Sequence, residues 1–344
     1  MRVARWYNNR DVRLEEMPTP QIGPGELLVR VEASGICGSD VMEWYRLSRG
    51  PLVLGHEIGG EIVAVGEGVT KYKAGQRVTA AHHVPCNTCH YCLSGNHTVC
   101  ETLRQTNFDP GGFAEFVRLP AINVDRGVFP LPDDVTYEEA TFVESLACVL
   151  RGQRRARLAP GQSVLVMGSG ITGLLHIQAA RALGAGRIIA TDISDYRIYA
   201  AKKFGADFVI HADYCTADCL RQFNDGRLAD LVIVCTGATS AIARALELVE
   251  RGGTVLLFAP TGPDVTIPVS INNVFWRNDV TLTTSYAGSP ADYAAALALI
   301  RARRVPVADM ITHRLTLVET GLGFQLVAEA KASIKVIIEP QRQP

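Results

Sequence analysis

The chain has 344 residues, 47% hydrophobic and 20% charged, with a formal net charge of -1. That length predicts two domains, and the near-zero charge gives no electrostatic footprint for nucleic acid or an anionic membrane. The opening Met1-Arg2-Val3-Ala4-Arg5-Trp6 has no apolar signal region, and no stretch reaches the length needed to span a bilayer, so the expected location is the cytoplasm. Cysteines stay reduced there, and clustered ones read as metal ligands before disulfides.

In chain order, Glu26–Ala33, Gly60–Gly66 and Gln76–Ala80 alternate as short strands between Gly/Pro turns, which predicts a β-rich, barrel-like domain. Between the first two lie Ile36-Cys37-Gly38-Ser39-Asp40 and Gly55-His56-Glu57. Thiolate, imidazole and carboxylate are the groups that hold a catalytic zinc, with one position left for water or substrate. Cys37 and His56 are the first two candidate ligands, and Glu57 is either a third or stands just behind the metal. Asp40 suits the second ring N–H of His56, and Ser39 suits the transfer of a substrate proton. Cys86, Cys89, Cys92 and Cys100 follow with C-x2-C-x2-C-x7-C spacing, which predicts a closed tetrahedral zinc; an iron–sulfur cluster is the competing reading. His82, His83, His90 and His97 receive no role. Further on, Glu144 stands among apolar residues in Val143–Cys148, where a buried carboxylate needs a partner that a metal would supply.

From Ser163 the pattern changes. Ser163–Met167 reads as a fully buried parallel strand, followed by Gly168-Ser169-Gly170-Ile171-Thr172-Gly173 and a helix to Leu183-Gly184. A strand, G-x-G-x-x-G, a helix and then a strand closing on Asp192 form the dinucleotide-binding context. The loop from Gly168 to Gly173, with Gly170, Ile171 and Thr172 opening the helix, would take the pyrophosphate. Asp192 would accept ribose hydroxyls and repel a 2′-phosphate, favouring NAD over NADP, whereas Arg197 works the other way. Leu231–Val234 ends at Cys235-Thr236-Gly237, at the strand C-termini where such a cofactor lies. Strands alternating with helices predict a doubly wound parallel sheet. The resulting α/β division is 1–150 with both metal sites, 151–284 for the dinucleotide, and 285–344 as a tail whose strands could return to the first domain.

These residues together resemble the zinc-dependent medium-chain dehydrogenases of the alcohol dehydrogenase superfamily. Glu144 in place of a ligating cysteine is similar to the polyol branch, that of sorbitol, threonine, butanediol and galactitol-phosphate dehydrogenases. The resemblance implies a GroES-like catalytic domain completed by the tail around a Rossmann domain, two zinc ions, and a homodimer or homotetramer. Two departures stand out. Met42 occupies the place of a relay histidine, so a relay through Ser39 ends in water or at another group such as Glu43. Glu144-Ser145 replaces the usual Glu-Pro.

The activity this implies is reversible oxidation of a secondary alcohol to a ketone. Zinc at Cys37, His56 and Glu144 or Glu57 would act as Lewis acid, with NAD taking the hydride. The substrate would be a small alcohol: a polyol, sugar alcohol or diol. Trp44, Tyr45 and Arg46 are candidates for the pocket wall. The rivals are a zinc-independent enone or quinone reductase of the same architecture and a non-enzymatic zinc-binding module. The first would not need Cys37, His56 and Glu144 together; the second is opposed by the neutral charge and the complete dinucleotide motif.

Overall fold

A computed structural model describes residues 1–343. It divides the chain into two units, Met1–Ala147 with Ala287–Pro344, and Cys148–Tyr286. The first division falls inside the helix Val143–Arg155, whose opening turn carries Glu144 and Ser145.

The first unit is built on a seven-stranded sheet. Its order is Ile311–Thr316, Lys335–Glu339, Leu27–Gly35, Glu57–Val65, Arg77–Ala80 and Val128–Pro130, with Phe116–Leu119 also pairing Leu27–Gly35. Leu27–Gly35 is central because its alternate residues Leu27, Val29 and Val31 are fully buried, as a half-buried pleat requires. Lys335–Glu339 comes from the tail and pairs antiparallel with Leu27–Gly35 at Ile337↔Gly35 and Ile338↔Ser34. One core cluster joins both ends of the chain: Trp6, Ile36 and Phe113 pack with Phe324, Val336 and Ile338. Burying apolar surface at roughly 25 cal/mol per Å² is what pulls that tail in.

The second unit is a six-stranded parallel sheet in the order Phe208–His211, Arg187–Asp192, Ser163–Met167, Ala229–Val234, Val249–Leu257 and Thr281–Thr284. Ser163–Met167 is buried at every residue, as an interior parallel strand covered on both faces should be. This is the doubly wound arrangement expected from the sequence, with the order reversing beside the first strand. Thr281–Thr284 lies at one edge, three of its four residues exposed.

His176 lies at the centre of this unit, fully buried. Gln153 Nε2 donates to its backbone oxygen at 2.8 Å, its ring meets Phe258 edge-on at 4.5 Å, and its Nε2 has no hydrogen-bond partner. Burial pushes the imidazole down to about 3. An unfolded histidine takes up its proton near pH 6.5, so the unfolded chain binds more protons below that point. Stability should therefore be complete above pH ~6.5 and decline as pH falls toward 3, by up to about 1.4 kcal/mol per pH unit. Denaturant unfolding of wild type and His176→Gln between about pH 4 and 7 checks this. The variant should show the shallower decline; parallel profiles would refute it.

Candidate active site

The turn Cys37–Asp40 is held by its own backbone. Asp40 N donates to Cys37 O at 3.0 Å, and Cys37 N donates to Asp40 Oδ2 at 3.0 Å. The returning tail fixes its position, because Ile36 N donates to Val336 O at 3.0 Å. His56 stands just before the neighbouring strand, which Glu57 opens. Gly55 before them has φ +100°, and a Cβ there would sit 2.8 Å from Phe113 N, so only glycine lets the chain turn here.

Cys37, His56 and Glu57 bring one ligand atom each to within 4.8 Å of one another. A thiolate, an imidazole and a carboxylate at that separation suit one zinc ion with an open fourth position. Glu144 is buried at the start of its helix, 8% exposed. Asp40 Oδ1 lies 3.3 Å from His56 Nδ1 and 3.6 Å from Arg46 Nη2, neither contact forming a well-shaped hydrogen bond. Burial opposes charge on His56, but the carboxylate of Asp40, followed by Cys37, raises the imidazole well above its ordinary range.

Ser39 Oγ donates to Cys37 Sγ at 3.4 Å. Its neighbour is Arg46, which donates from Nε to Ser39 O at 3.2 Å and from Nη2 to Ser39 Oγ at 3.5 Å. Glu43, named as an alternative end for the relay, is used elsewhere: its Oε1 accepts from Asn9 N at 2.9 Å. The sequence reading also gave His82 no role, yet its ring packs on His56 at 4.7 Å and on His83 at 3.9 Å. Burial, followed by the charges of His83, His56 and Arg46, holds His82 well below the ordinary imidazole range. The paired histidines after the strand Arg77–Ala80 were the only signal in the sequence.

Two further residues reach Glu57. Ser145 Oγ donates to its Oε1, and Lys335 Nζ donates to its Oε2. Lys335 is 1% exposed and comes from the tail strand; nothing in its local sequence separates it from a surface lysine.

The four-cysteine loop closes on itself. The Sγ separations are 3.6 Å for Cys89–Cys92, 3.6 Å for Cys86–Cys100 and 4.0 Å for Cys86–Cys92. Zinc–sulfur bonds of about 2.3 Å in a tetrahedron put sulfurs roughly 3.8 Å apart, so the cage fits one zinc ion. Backbone N–H donation at Thr88 brings Cys86 down to about 5, while burial and Cys89 push Cys92 up to about 12. His90 is exposed and His97 half-buried.

In the second unit, Gly168 has φ +95° and Gly170 caps the helix Ile171–Ala182. A Cβ on Gly173 would run into Gly168 O, so the helix can approach the strand only as glycine. Ile171, Thr172 and Gly173 form the first turn, leaving their N–H groups for an anion. Asp192 is buried; its Oδ2 accepts from Ser169 N at 2.7 Å and its Oδ1 from Ser194 N at 3.0 Å. Its carboxylate thus braces the glycine loop as well as ending the strand. Arg197 lays its guanidinium against Gly170, 3.7 Å from where a Cβ would stand, and its Nε is buried without a partner. Cys235 N donates to Met167 O at 2.8 Å, putting Cys235-Thr236-Gly237 beside the loop, and burial pushes the Cys235 thiol up to about 12.

Comparison with known proteins agrees with this chemistry. Residues 23–133 match the alcohol dehydrogenase GroES-like domain, and residues 172–302 match the zinc-binding dehydrogenase domain. The chain is 30% identical to the sorbitol dehydrogenase of Bacillus subtilis over 99% of this chain and 98% of that protein. It is 31% identical to the sorbitol dehydrogenase of Gallus gallus over 96% and 93%. Galactitol-1-phosphate dehydrogenase from Escherichia coli superposes with a TM-score of 0.86 at 28% identity, covering 99% of this chain and 100% of that one. The chain therefore belongs to the zinc-dependent medium-chain dehydrogenase family of the alcohol dehydrogenase superfamily, and is an oxidoreductase.

Proposed function

We propose that this enzyme reversibly oxidises a secondary alcohol of a polyol, sugar alcohol or diol to a ketone, with NAD as hydride acceptor. The observation that carries this reading is the convergence of Cys37, His56 and Glu57 within 4.8 Å in a chain that also builds a complete dinucleotide loop. Its sorbitol dehydrogenase relatives support the polyol class. Cys37 and His56 with Glu57 or Glu144 would hold a zinc ion, which would supply Lewis-acid polarisation of the alcohol oxygen, and a bound nicotinamide would supply the hydride acceptor. Ser39 carries the substrate proton at Oγ. Arg46, which cannot give up its own proton, orients that hydroxyl, so the proton leaves through water. Asp40, its Oδ1 3.3 Å from His56 Nδ1, orients the ring of His56. Cys86, Cys89, Cys92 and Cys100 hold a second, structural zinc.

For the cofactor, the loop from Gly168 through Gly170, Ile171, Thr172 and Gly173 cradles the pyrophosphate, and Cys235-Thr236-Gly237 borders it. Asp192 sets the preference for NAD, with Arg197 stacked on the loop beside it. Metal analysis of protein purified without added metal should give two zincs per chain. Turnover on a panel of polyols and diols should be at least about tenfold more efficient with NAD than with NADP, since a 2′-phosphate meets the Asp192 charge. One zinc and no alcohol turnover would sink the reading.

The reduced cysteines of the four-thiol cage suit a reducing compartment, and we place the enzyme in the cytoplasm. We also infer a homodimer formed along Thr281–Thr284, an unpaired edge. Leu282 is 38% exposed, and Ile271 and Trp276 on the approach to that strand are 65% and 63% exposed. Light scattering should give a dimer that Leu282→Lys converts to monomer; an unchanged mass for the variant would remove this interface.

A further inference from the structure

Glu57 is enclosed by three parts of the chain. Ser145 Oγ from the helix Val143–Arg155 donates to Oε1, and Lys335 Nζ from the tail strand donates to Oε2. The side chains of Glu57 and Lys335 are each 1% exposed, and Ser145 is buried. Gly35 leaves the room for this: a Cβ there would collide with both the Glu57 carboxylate and the Lys335 ammonium, which lies 2.6 Å from that position. The ring of Phe142 closes another side, 5.1 Å from Nζ.

A carboxylate has about four lone-pair directions on its two oxygens. One donor on each oxygen stops the group from rotating, and one of those oxygens lies within 4.8 Å of the ligand atoms of Cys37 and His56. We propose that Ser145 and Lys335 are positioning residues for Glu57: together they fix its carboxylate in the one orientation that serves the metal held with Cys37 and His56. This rests on the reading that those three residues gather a zinc ion. It gives Ser145 a role through its hydroxyl.

The test uses the full-length zinc-loaded enzyme and a chromophoric chelator in competition, which reads the zinc dissociation constant of the Cys37 site separately from the four-cysteine cage. Ser145→Ala should weaken zinc binding at the Cys37 site by roughly 10- to 100-fold, the usual effect of losing a group that orients a metal ligand. Ser145→Thr, which keeps the hydroxyl, should restore most of it, and both variants should retain the zinc of the cage. Lys335→Arg, which keeps the charge, should bind zinc within a few-fold of wild type. An unchanged zinc constant in Ser145→Ala, with only a lower melting temperature, would mean the serine merely packs the helix and would overturn the proposal. A wild-type chain carrying zinc only in the cage would overturn the reading beneath it as well.

Discussion

Replacing Cys37 by alanine is expected to lower the zinc content from two per chain to one and to reduce kcat by about a thousandfold or more. Alanine removes the thiolate from a group whose other members, His56 and Glu57, lie within 4.8 Å of its sulfur. Two ligands cannot hold zinc against water as three do, and Lewis-acid assistance worth several kcal/mol is lost with the ion; at about 1.4 kcal/mol per factor of ten, a thousandfold corresponds to about 4 kcal/mol. Ser39 loses its sulfur acceptor at the same time, but its contacts with Arg46 remain, so the turn should keep its shape and the protein should still bind NAD. Metal analysis, turnover and NAD titration of one preparation decide this. Normal turnover with one zinc left in the cage would remove Cys37, and the mechanism, from consideration.

Replacing Cys92 by serine should have the second large effect, on order rather than chemistry. The loop that carries the cage has almost no core of its own: Cys92, Cys100 and Leu103 are its buried cluster, while Leu93 is 77% exposed. Without four thiolates the metal no longer supplies the folding free energy of this segment, which reaches about 10 kcal/mol in small zinc modules. Hydrogen exchange across residues 86–105 should then accelerate by at least about a hundredfold, with the parallel sheet of the second unit unaffected. The disturbance should also reach His56. Thr106 follows the loop, its backbone oxygen lies 2.6 Å from His83 Nδ1, and its hydroxyl accepts from Val84 N at 2.9 Å. These bonds steady the stretch from which His82 packs on His56. Exchange rates in 86–105 equal to wild type, in protein that has lost that zinc, would show that the loop stands without it.

What the sequence made legible follows from how local each signal is. Four cysteines within fifteen positions, or two glycines flanking a helix start after a buried strand, are patterns whose geometry is set by the residues themselves. The β-rich and doubly wound architectures were readable for the same reason, because alternation and turn residues act over a few positions. The surroundings of Glu57 were not. Lys335 is 278 positions away, and a lysine in a short strand carries no mark of burial until the tail pairs with Leu27–Gly35. Ser145 registered only as a missing proline, because a hydroxyl names no partner. Arg46 reads from the sequence only as a candidate for the pocket wall, and its contacts with Ser39 and Asp40 appear only once the helical turn Glu43–Arg46 folds it back on them.

The tail strand has a consequence for how the molecule comes into being. Cys37, His56 and Glu57 leave the ribosome well before Lys335, which pairs with Glu57 from 278 positions further on. The parallel sheet of Cys148–Tyr286 can form on its own contacts while the other unit waits. Until Lys335–Glu339 inserts between Leu27–Gly35 and Ile311–Thr316, the metal-binding half has an unpaired strand edge and a carboxylate without its cation. A nascent chain that has not yet reached Lys335, or one clipped before it, can therefore hold its parallel sheet while Glu57 still lacks the partner that fixes it.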